Sequence, residues 1–307
     1  MKHTTALDYL YLGTYHLFRG FVLYTPESIR FAILKGLARL AYFIDRRHRH
    51  VAFVNLDIAF GDTMSEKEKK RIVKKSYENL LFLLHEIVLN QGISKKEMMK
   101  KVSFAGEEHI EAAHKAGKPI IFVAAHYGIW ELAPLAYGAK YGPVTVVGRP
   151  LDSRAMNDIL TRHRRQLNVT LIEKKGALKH LITALKKGEA VGLLVDQNTA
   201  RHDGIVIDFF GKPARHTPAA AILARRLDAV VLPIFIESDD YKHYTLKVYP
   251  PLAMEKSDNP DEDIRRHVQA QADITEHAVR ERPDHWFWLH KRWRKEAGVD
   301  YKKRRAI

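Results

Sequence analysis

Residues 120–134 have the sequence IIFVAAHYGIWELAP, and this stretch decides how the rest of the chain is interpreted. The apolar run from Ile120 to Ala124 is typical of a buried strand. His126 follows almost at once, and Glu131 lies five residues later, where the first turns of a helix are expected. A strand that passes directly into a helix opens a βαβ unit, so the chain is predicted to contain a parallel sheet.

The sequence around this stretch continues the same alternation from residue 103 onwards. Short runs rich in Val and Ile alternate with helical patterns, which predicts an α/β fold with a mostly parallel central sheet flanked by helices. Lys242 to Tyr249 is predicted to be an antiparallel edge strand, and a final helix is predicted from about Asp261 to Arg280. The other predicted strands are Val144 to Val147, Val191 to Val195 and Val230 to Ile236, and the other predicted helices are Glu107 to Ala116, Ile129 to Ala139, Arg154 to Arg165, Ala177 to Lys187 and Pro218 to Arg226.

His126 and Glu131 are the residues to which we first assign chemistry. In open α/β sheets, ligands bind beyond the carboxyl ends of the strands, and His126 is predicted to stand at such an end. Gly128 permits a tight turn, after which Glu131 is expected to accept a hydrogen bond from the imidazole and so to fix its tautomer. Such a pair suits acyl transfer to a hydroxyl. The alternative is a histidine that serves only the structure or caps a helix.

The nucleophile classes that act through a covalent intermediate have no obvious candidate. The chain contains no G-x-S-x-G turn and no cysteine. Direct transfer without an acyl-enzyme is therefore the simpler expectation. The absence of cysteine also excludes disulfides and thiolate metal sites, and we expect neither a metal nor a cofactor.

Residues 1–100 are predicted to form a helical region that associates with a membrane. Ala6 to Tyr24 is rich in apolar and aromatic residues but also carries Asp8 and Arg19. Because a charge at the centre of a spanning helix costs about 3 kcal/mol, a helix lying in the membrane interface is favoured over a spanning one. Ser28 to Asp45 repeats this composition. Two core helices with solvated charges remain the alternative.

Residues 101–307 are predicted to form the α/β core, in one continuous domain with the first region. The chain ends in the basic segment KRWRKEAGVDYKKRRAI, which begins at Lys291. The 51 Lys and Arg residues exceed the 36 Asp and Glu residues, which gives a formal net charge of +15. Such a charge implies an anionic partner, either an acidic membrane surface or nucleic acid.

Six further blocks of sequence accompany the His–Glu motif, HYGIWE. Together, and in this order, they resemble the late acyltransferases of lipid A synthesis, the lauroyl and myristoyl acyltransferases, within the lysophospholipid-type acyltransferase superfamily. The likeness extends over nearly the whole chain. The blocks are Asn55-Leu56 with Ala59-Phe60, GRP at Gly148 to Pro150, LLVDQ ending at Asp196-Gln197, IDFFG at Ile207 to Gly211, HTP at His216 to Pro218 with LARR, and WFWLHKRW at Trp286 to Trp293.

The resemblance implies a donor, an acceptor and a place of work. The donor would be an acyl carrier protein thioester, and the acceptor a hydroxyl of a lipid A precursor at the cytoplasmic face of the inner membrane. His126 and Glu131 match the catalytic pair. Arg149 and Arg164 match basic residues assigned to phosphate or oxyanion contact, and Asp196 is expected at the substrate site, where it is structural or orients an arginine.

Three other functions remain open at the level of sequence. The first is an acyltransferase of the same superfamily with another phosphoglycolipid or a lysophospholipid as acceptor. The second is a basic RNA-binding protein, although no RNA-binding motif is present and we expect no nucleic acid partner. The third is a non-catalytic scaffold at the membrane surface, which the intact His126 and Glu131 disfavour.

Overall fold

The computed structural model describes residues 6–200 and 203–302, and the part before the sheet is helical. Ser65 and Glu68 form a capping box that starts the longest of these helices. Its apolar side is buried against the second helix and against the sheet. The helices are α1 (Ala6–Tyr24), α2 (Glu27–Ile44), α3 (Arg46–Phe60), α4 (Glu66–Leu89) and α5 (Lys95–Lys101).

Helices α1 and α2 are joined by a tight connection that Arg30 holds in place. Its Nη1 donates to the carbonyls of Val22 and Thr25, at 2.8 and 3.0 Å. These bonds satisfy carbonyls that the end of α1 would otherwise leave without a partner. Because the bonds link the end of one helix to the start of the next, they fix the two helices as a hairpin.

The apolar residues that recur at helical spacing along α2 face solvent. The buried side of the helix carries Leu34, Ala38 and Tyr42 together with the charged Arg30. An ordinary core helix would bury the apolar stripe and expose its charges, so this arrangement disfavours the interpretation of α2 as a simple core helix. The exposed stripe, called the outer stripe below, consists of Ile29, Ile33, Leu37, Leu40 and Ile44.

The length and hydropathy of the helices bear on how the protein could meet a membrane. Within residues 6–200 and 203–302, no helix is both long and apolar enough to cross one.

Seven strands of the described chain form the central sheet, in the order β1-β9-β8-β2-β5-β3-β4. All neighbouring strands are parallel except β8 and β9, which confirms the predicted α/β fold with its mostly parallel sheet. The strands are β1 (Val102–Ala105), β2 (Ile120–Ala124), β3 (Val144–Gly148), β4 (Val169–Glu173), β5 (Ala190–Leu194), β8 (Val230–Glu237) and β9 (Tyr244–Val248), with a separate hairpin of β6 (Ile205–Phe209) and β7 (Lys212–His216).

Helices cover both faces of this sheet. Helix α7 packs on Phe122 and Val144 on one face, whereas α9 packs on Val191 and Leu193 on the other. This division follows from right-handed crossovers, which place the helix on one face when the chain moves outward along the sheet and on the other when it returns. The helices are α6 (Glu108–Lys115), α7 (Leu132–Lys140), α8 (Arg154–Arg164), α9 (Ala177–Lys186), α10 (Ala219–Leu227) and α11 (Pro260–Glu281).

Strand β9 corrects one prediction. The segment is antiparallel to β8, as expected, but it is not an edge strand because β1 pairs with its other side. The pairing of Val102 with Tyr244 joins segments 142 residues apart, and no local pattern announces such a contact. Strands β1 and β4 were absent from the sequence prediction, since each is short and only partly apolar.

The C-terminal segment is folded into the protein as far as the structure describes it. Arg292 and Trp293 are fully buried, and Asn55 of α3 donates to the carbonyls of Trp288 and His290 at 2.8 and 2.7 Å. The prediction of a basic tail from Lys291 onwards is therefore wrong for its first residues. Residues 303–307 of that tail lie outside the described part of the chain.

Candidate active site

The register of two neighbouring strands brings His126 and Asp196 together. Strands β2 and β5 are parallel, and Ala124 is paired with Leu194 at their carboxyl ends. The next backbone bond, from the amide of Val195 to the carbonyl of Ala124, continues the pairing at 2.9 Å. Two residues beyond the paired positions, His126 and Asp196 therefore stand side by side at the edge of the sheet.

A short ladder to the C-terminal segment fixes the loop that carries His126. The amide of Phe287 donates to the carbonyl of His126, and the amide of Gly128 donates to the carbonyl of His285, both at 2.9 Å. Gly128 has φ of +58°, and a Cβ there would lie 2.0 Å from the carbonyl oxygen of Ile236. Only glycine fits this turn without displacing the backbone.

The carboxylate of Asp196 holds the His126 ring. Its Oδ1 lies 2.8 Å from Nδ1 of the imidazole, and its Oδ2 accepts the backbone amide of His126 at 3.0 Å. Oδ2 also accepts the indole N–H of Trp286 at 2.8 Å. The prediction that Glu131 accepts a hydrogen bond from the ring is therefore wrong. The carboxylate that bonds to the ring follows the adjacent strand β5 and does not belong to the following helix. Asp196 was expected to be structural or to orient an arginine, and the structure shows that it orients His126.

Asp196 stays ionised in this setting. Burial acts to raise its pKa, but the nearby His126, the hydrogen bond from that ring and the bond from Trp286 outweigh it, and the pKa falls to about 2. An ionised carboxylate only accepts hydrogen bonds. Nδ1 of His126 consequently carries a proton, and in the neutral imidazole Nε2 then presents a lone pair, which is the form that a general base needs.

Glu131 precedes α7 and faces Arg164 at the end of α8. The guanidinium donates from Nε and Nη2 to the two carboxylate oxygens, at 2.9 and 2.5 Å. Burial acts to raise the pKa of Glu131, yet the hydrogen bond and the charge of Arg164 keep it below its ordinary value. The pair is a two-point clamp between consecutive helices on one face of the sheet, and a catalytic role for Glu131 stays a prediction.

The two arginines assigned to the site occupy different surroundings. Arg164 is partly buried, with 21% of its side chain exposed, and its fork is engaged by Glu131. Its remaining nitrogen, Nη1, lies against Gly148, where a Cβ would come within 3.0 Å. Arg149 is 83% exposed and has a loose ion pair with Asp152 at 3.6 Å. The structure therefore places Arg164 beside the site and Arg149 at its outer rim, and their contacts with substrate stay predictions.

Gln197 occupies the other side of the His126 ring. Its side-chain amide lies 3.2 Å from Nε2 and, with Nδ1 protonated, donates to the lone pair there. The ring also lies edge-on to Trp130, with centroids 5.0 Å apart. The side chain of His126 retains 18% exposure.

An apolar cavity lies beside the clamp, between the sheet and α7. Its empty volume is about 680 Å³, including its open mouth. Glu131 and Arg164 stand at its polar end. No group of three or more His, Asp or Glu side chains in the described residues could hold a metal ion. The apolar residues that line the cavity include Phe122, Trp130, Tyr137, Val146, Leu171 and Gly192.

Two contributors to the site escaped the sequence analysis. Gln197 was noted without a role, and Trp286 was noted only as part of a motif. Trp286 lies 90 residues from Asp196, and a single sequence carries no signal that pairs them. The only available hint was indirect, since a buried tryptophan ordinarily finds an acceptor for its N–H.

The sequence is similar to a family of bacterial acyltransferases over nearly its full length. The sequence profile of the bacterial lipid A biosynthesis acyltransferases matches residues 1–295, which is nearly the full chain. The chain belongs to that family. The lipid A biosynthesis lauroyltransferase of Escherichia coli K12 is 26% identical over 275 residues, which cover 89% of this chain and 88% of the relative. The lipid A biosynthesis acyltransferase of Haemophilus influenzae is 25% identical over 248 residues, which cover 80% and 75%.

A third relative has a different name. The phosphatidylinositol mannoside acyltransferase of Mycobacterium tuberculosis CDC 1551 is 26% identical over 192 residues, which cover 61% of this chain and 58% of the relative. Membership of the family confirms the resemblance drawn from the seven sequence blocks and supports an acyltransferase activity. The names of the relatives leave its donor and its catalytic residues open.

Proposed function

We propose that this acyltransferase moves a fatty acyl chain from an acyl carrier protein thioester to a hydroxyl of a lipid A precursor. The observation that carries the proposal is the position of His126 at the carboxyl edge of the sheet, where Asp196 holds Nδ1 and 18% of the side chain stays exposed. A histidine so oriented is a general base for a hydroxyl. The membership of the lipid A family supports the acceptor.

The reaction proceeds by addition of the acceptor hydroxyl to the thioester, followed by breakdown of the tetrahedral intermediate. Nε2 of His126 takes the proton of the acceptor hydroxyl as its oxygen attacks the thioester carbonyl carbon. The tetrahedral intermediate then expels the thiolate, and the imidazolium returns the proton to sulfur. The products are an ester and a free thiol. Asp196 stabilises the imidazolium that forms in between, as a buried carboxylate does in other histidine-based acyl transfer.

Direct transfer is favoured over an acyl-enzyme. The chain has no cysteine. Within residues 6–200 and 203–302, no serine or threonine hydroxyl is hydrogen-bonded to His126, whose side-chain partners are Asp196 and Gln197. An enzyme nucleophile would need such a contact for activation. The acceptor hydroxyl is therefore the group that His126 activates.

The apolar cavity is the place we assign to the donor chain. Its walls are apolar, so that a fatty acyl chain gains stability there by leaving water. The chain would extend away from the polar end marked by Glu131 and Arg164, which puts the thioester near the sheet edge. Arg164 would then contact the substrate through Nη1, since its other two nitrogens, Nε and Nη2, donate to Glu131.

We propose that the acyl transfer takes place at the cytoplasmic face of the inner membrane. The outer stripe on α2, together with exposed Leu10 and Leu17 of α1, is the surface that would lie in the interface. Contiguous exposed apolar surface of this kind marks a contact with a membrane or a partner. The net charge of +15 would add attraction to an anionic leaflet.

A second acceptor class has one observation in its favour. The likeness to the phosphatidylinositol mannoside acyltransferase supports an acceptor that is another phosphoglycolipid.

Mass spectrometry of the lipid product tests the proposed function. Purified protein is incubated with acyl carrier protein thioesters and a lipid A precursor, and in parallel with a phosphatidylinositol mannoside. We expect the mass of one acyl chain to appear on the lipid A precursor. Acylation of the mannoside alone would favour the second acceptor, and acylation of neither would refute the proposal. Lipid A from cells with and without the protein should show the same difference in mass.

A further inference from the structure

We propose that a basic rim at the sheet edge is the docking surface for the acidic carrier protein that delivers the acyl chain. The rim consists of Arg149, Lys174, Lys175 and Lys179. This inference rests on the proposed function, because it concerns how that donor reaches the site. It names a surface of the chain that the catalytic account leaves unused.

Strand register puts the rim at the same edge as the catalytic histidine. In the parallel pair of β3 and β4, Gly148 is the partner of Glu173, so Arg149 and Lys174 leave neighbouring strands side by side. Strand β3 is in turn parallel to β5, which leads to Asp196. A cation at the end of β4 therefore lies two strands away from the strand that leads to Asp196 and three away from the strand that leads to His126.

The cations of the rim are available to a partner. Lys174, Lys175 and Lys179 are exposed, and none of them has an ion pair with any residue in 6–200 or 203–302. Two carboxylates share the segment. Asp152 is loosely paired with Arg149, and Glu173 is exposed beside Lys174. The rim thus keeps an excess of positive charge, which attracts an acidic surface and speeds its encounter.

Exposed leucines accompany these cations. Leu178 stands between Lys175 and Lys179, Leu151 follows Arg149, and Leu194 ends β5, and each is between 39 and 45% exposed. Protein–protein interfaces combine an apolar centre with a polar border. A surface of this composition fits a carrier protein that presents acidic residues around an apolar patch, whereas a purely electrostatic contact would need no leucines.

The position of the rim favours a protein over a lipid headgroup. Helix α9, which carries Lys179, packs on the face of the sheet that contains Val191 and Leu193. Phe18 of α1 and Phe31 of α2 pack into the cluster on the opposite face. Helix α9 with Lys179 and the surface assigned to the membrane thus lie on opposite faces of the sheet. Arg149 lies on the side of α1, where Ser153 donates to Asp8 at 2.5 Å, so the three lysines are the part of the rim that a soluble partner reaches from the side away from the membrane.

Helix α9 offers a matched control, because a Lys-Lys pair flanks each of its ends. Lys174→Glu/Lys175→Glu reverses the pair at the rim, and Lys186→Glu/Lys187→Glu reverses the exposed pair at the far end of the helix. Both variants change the net charge by the same amount. The activity of the full-length protein is measured with two donors, the acyl carrier protein thioester and the same acyl group on pantetheine alone.

We expect the rim variant to raise KM for the carrier protein donor about tenfold at low salt, with kcat unchanged, and the effect to shrink in high salt as screening grows. Its kinetics with the pantetheine donor should equal those of the wild type, and the control variant should match the wild type with both donors. Equal losses with both donors would overturn the inference, since the rim would then shape the site.

Two further results separate this inference from the function on which it rests. A wild-type protein that transfers from pantetheine but never from the carrier protein would refute the proposed donor, and the rim with it. A wild type that uses the carrier protein, together with a rim variant of unchanged KM, would overturn the rim alone. Weaker binding of the rim variant to vesicles that contain anionic phospholipid, at unchanged KM, would likewise overturn it by assigning the rim to the leaflet.

Discussion

Replacing Asp196 by asparagine should switch the tautomer of His126, because the two oxygens of Asp196 are not equivalent. Oδ2 receives two N–H groups, from the backbone of His126 and from Trp286, whereas Oδ1 receives only Nδ1 of the ring. In Asp196→Asn the amide can be oriented in two ways, and its single oxygen accepts two N–H groups at the Oδ2 position but only one at the Oδ1 position. The NH₂ group then points at Nδ1, which can accept from it only if the proton moves to Nε2.

The magnitude follows from what the productive tautomer would have to give up. If the proton stays on Nδ1 in the variant, the ring N–H points at the NH₂ group of the new asparagine. The hydrogen bond to the charged carboxylate is then lost, at about 1.5–3 kcal/mol, and a buried donor is left unsatisfied, at about 1–3 kcal/mol. The sum of roughly 3–6 kcal/mol corresponds to a loss of about 10²–10⁴ in kcat, at about 1.4 kcal/mol for each factor of ten. Asparagine is nearly isosteric with aspartate, so the fold should persist.

Two assays check this result. Acyl transfer gives kcat, and nitrogen NMR of labelled imidazole identifies the protonated ring nitrogen of His126. We expect Nδ1–H in the wild type and Nε2–H in Asp196→Asn, with Asp258→Asn, an exposed site, as the control. A variant that keeps Nδ1–H, or that turns over within about threefold of the wild type, would refute the reasoning.

Four more predictions follow from the same contacts. Trp286→Phe should lower kcat about tenfold at unchanged KM, since it removes a hydrogen bond to a charged group, and a rise in KM alone would contradict a positioning role. Glu131→Gln should lower the melting temperature and destabilise the protein by roughly 3 kcal/mol, because it breaks a largely buried ion pair, while NMR should find Nδ1–H of His126 unchanged. Gly192→Leu, which fills the apolar cavity, should shift the donor preference to shorter acyl chains, whereas a uniform loss for all lengths would exclude the cavity as the acyl site. High salt should release much of the protein from anionic vesicles if attachment is interfacial and electrostatic, and full retention until detergent is added would contradict this.

The strands, helices and overall class of the fold could be predicted because they depend on local periodicity. The run Ile120 to Ala124 was assigned as a strand with the bounds that the structure has. The order of the strands depends on contacts between distant segments. Asp196 of the LLVDQ block lies 70 residues after His126 in the sequence, and only the parallel pairing of β2 with β5 makes the two residues neighbours.

The pairing of His126 with Glu131 was inferred from proximity along the chain, and the structure shows why that reasoning failed. The turn at Gly128 is held by the segment that contains His285, which leaves Glu131 at the start of α7 with its carboxylate toward α8. Arg164 approaches from there and engages both carboxylate oxygens. A short spacing in sequence thus placed the two residues near one another but did not predict their partners.

Surface character was the hardest property to predict from sequence. The apolar spacing in α2 fitted a buried helix and a membrane-facing helix equally, and only the packing of Leu34 and Ala38 decides which side is inside. In the same way, the basic residues from Lys291 onwards suggested a solvent-exposed tail. Arg292 is nevertheless fully buried, and its guanidinium donates to the carbonyl of Arg215.

The central claim is that His126 is the base in acyl transfer to a lipid A precursor, and the turnover of a folded His126→Ala protein tests it most directly. With the acyl carrier protein thioester and the precursor both saturating, kcat is compared with that of the wild type, and melting temperature controls for the fold. We predict a loss of about 10²–10⁴-fold in kcat in a protein that is still folded at the assay temperature. Near-normal turnover by a well-folded His126→Ala protein would contradict it.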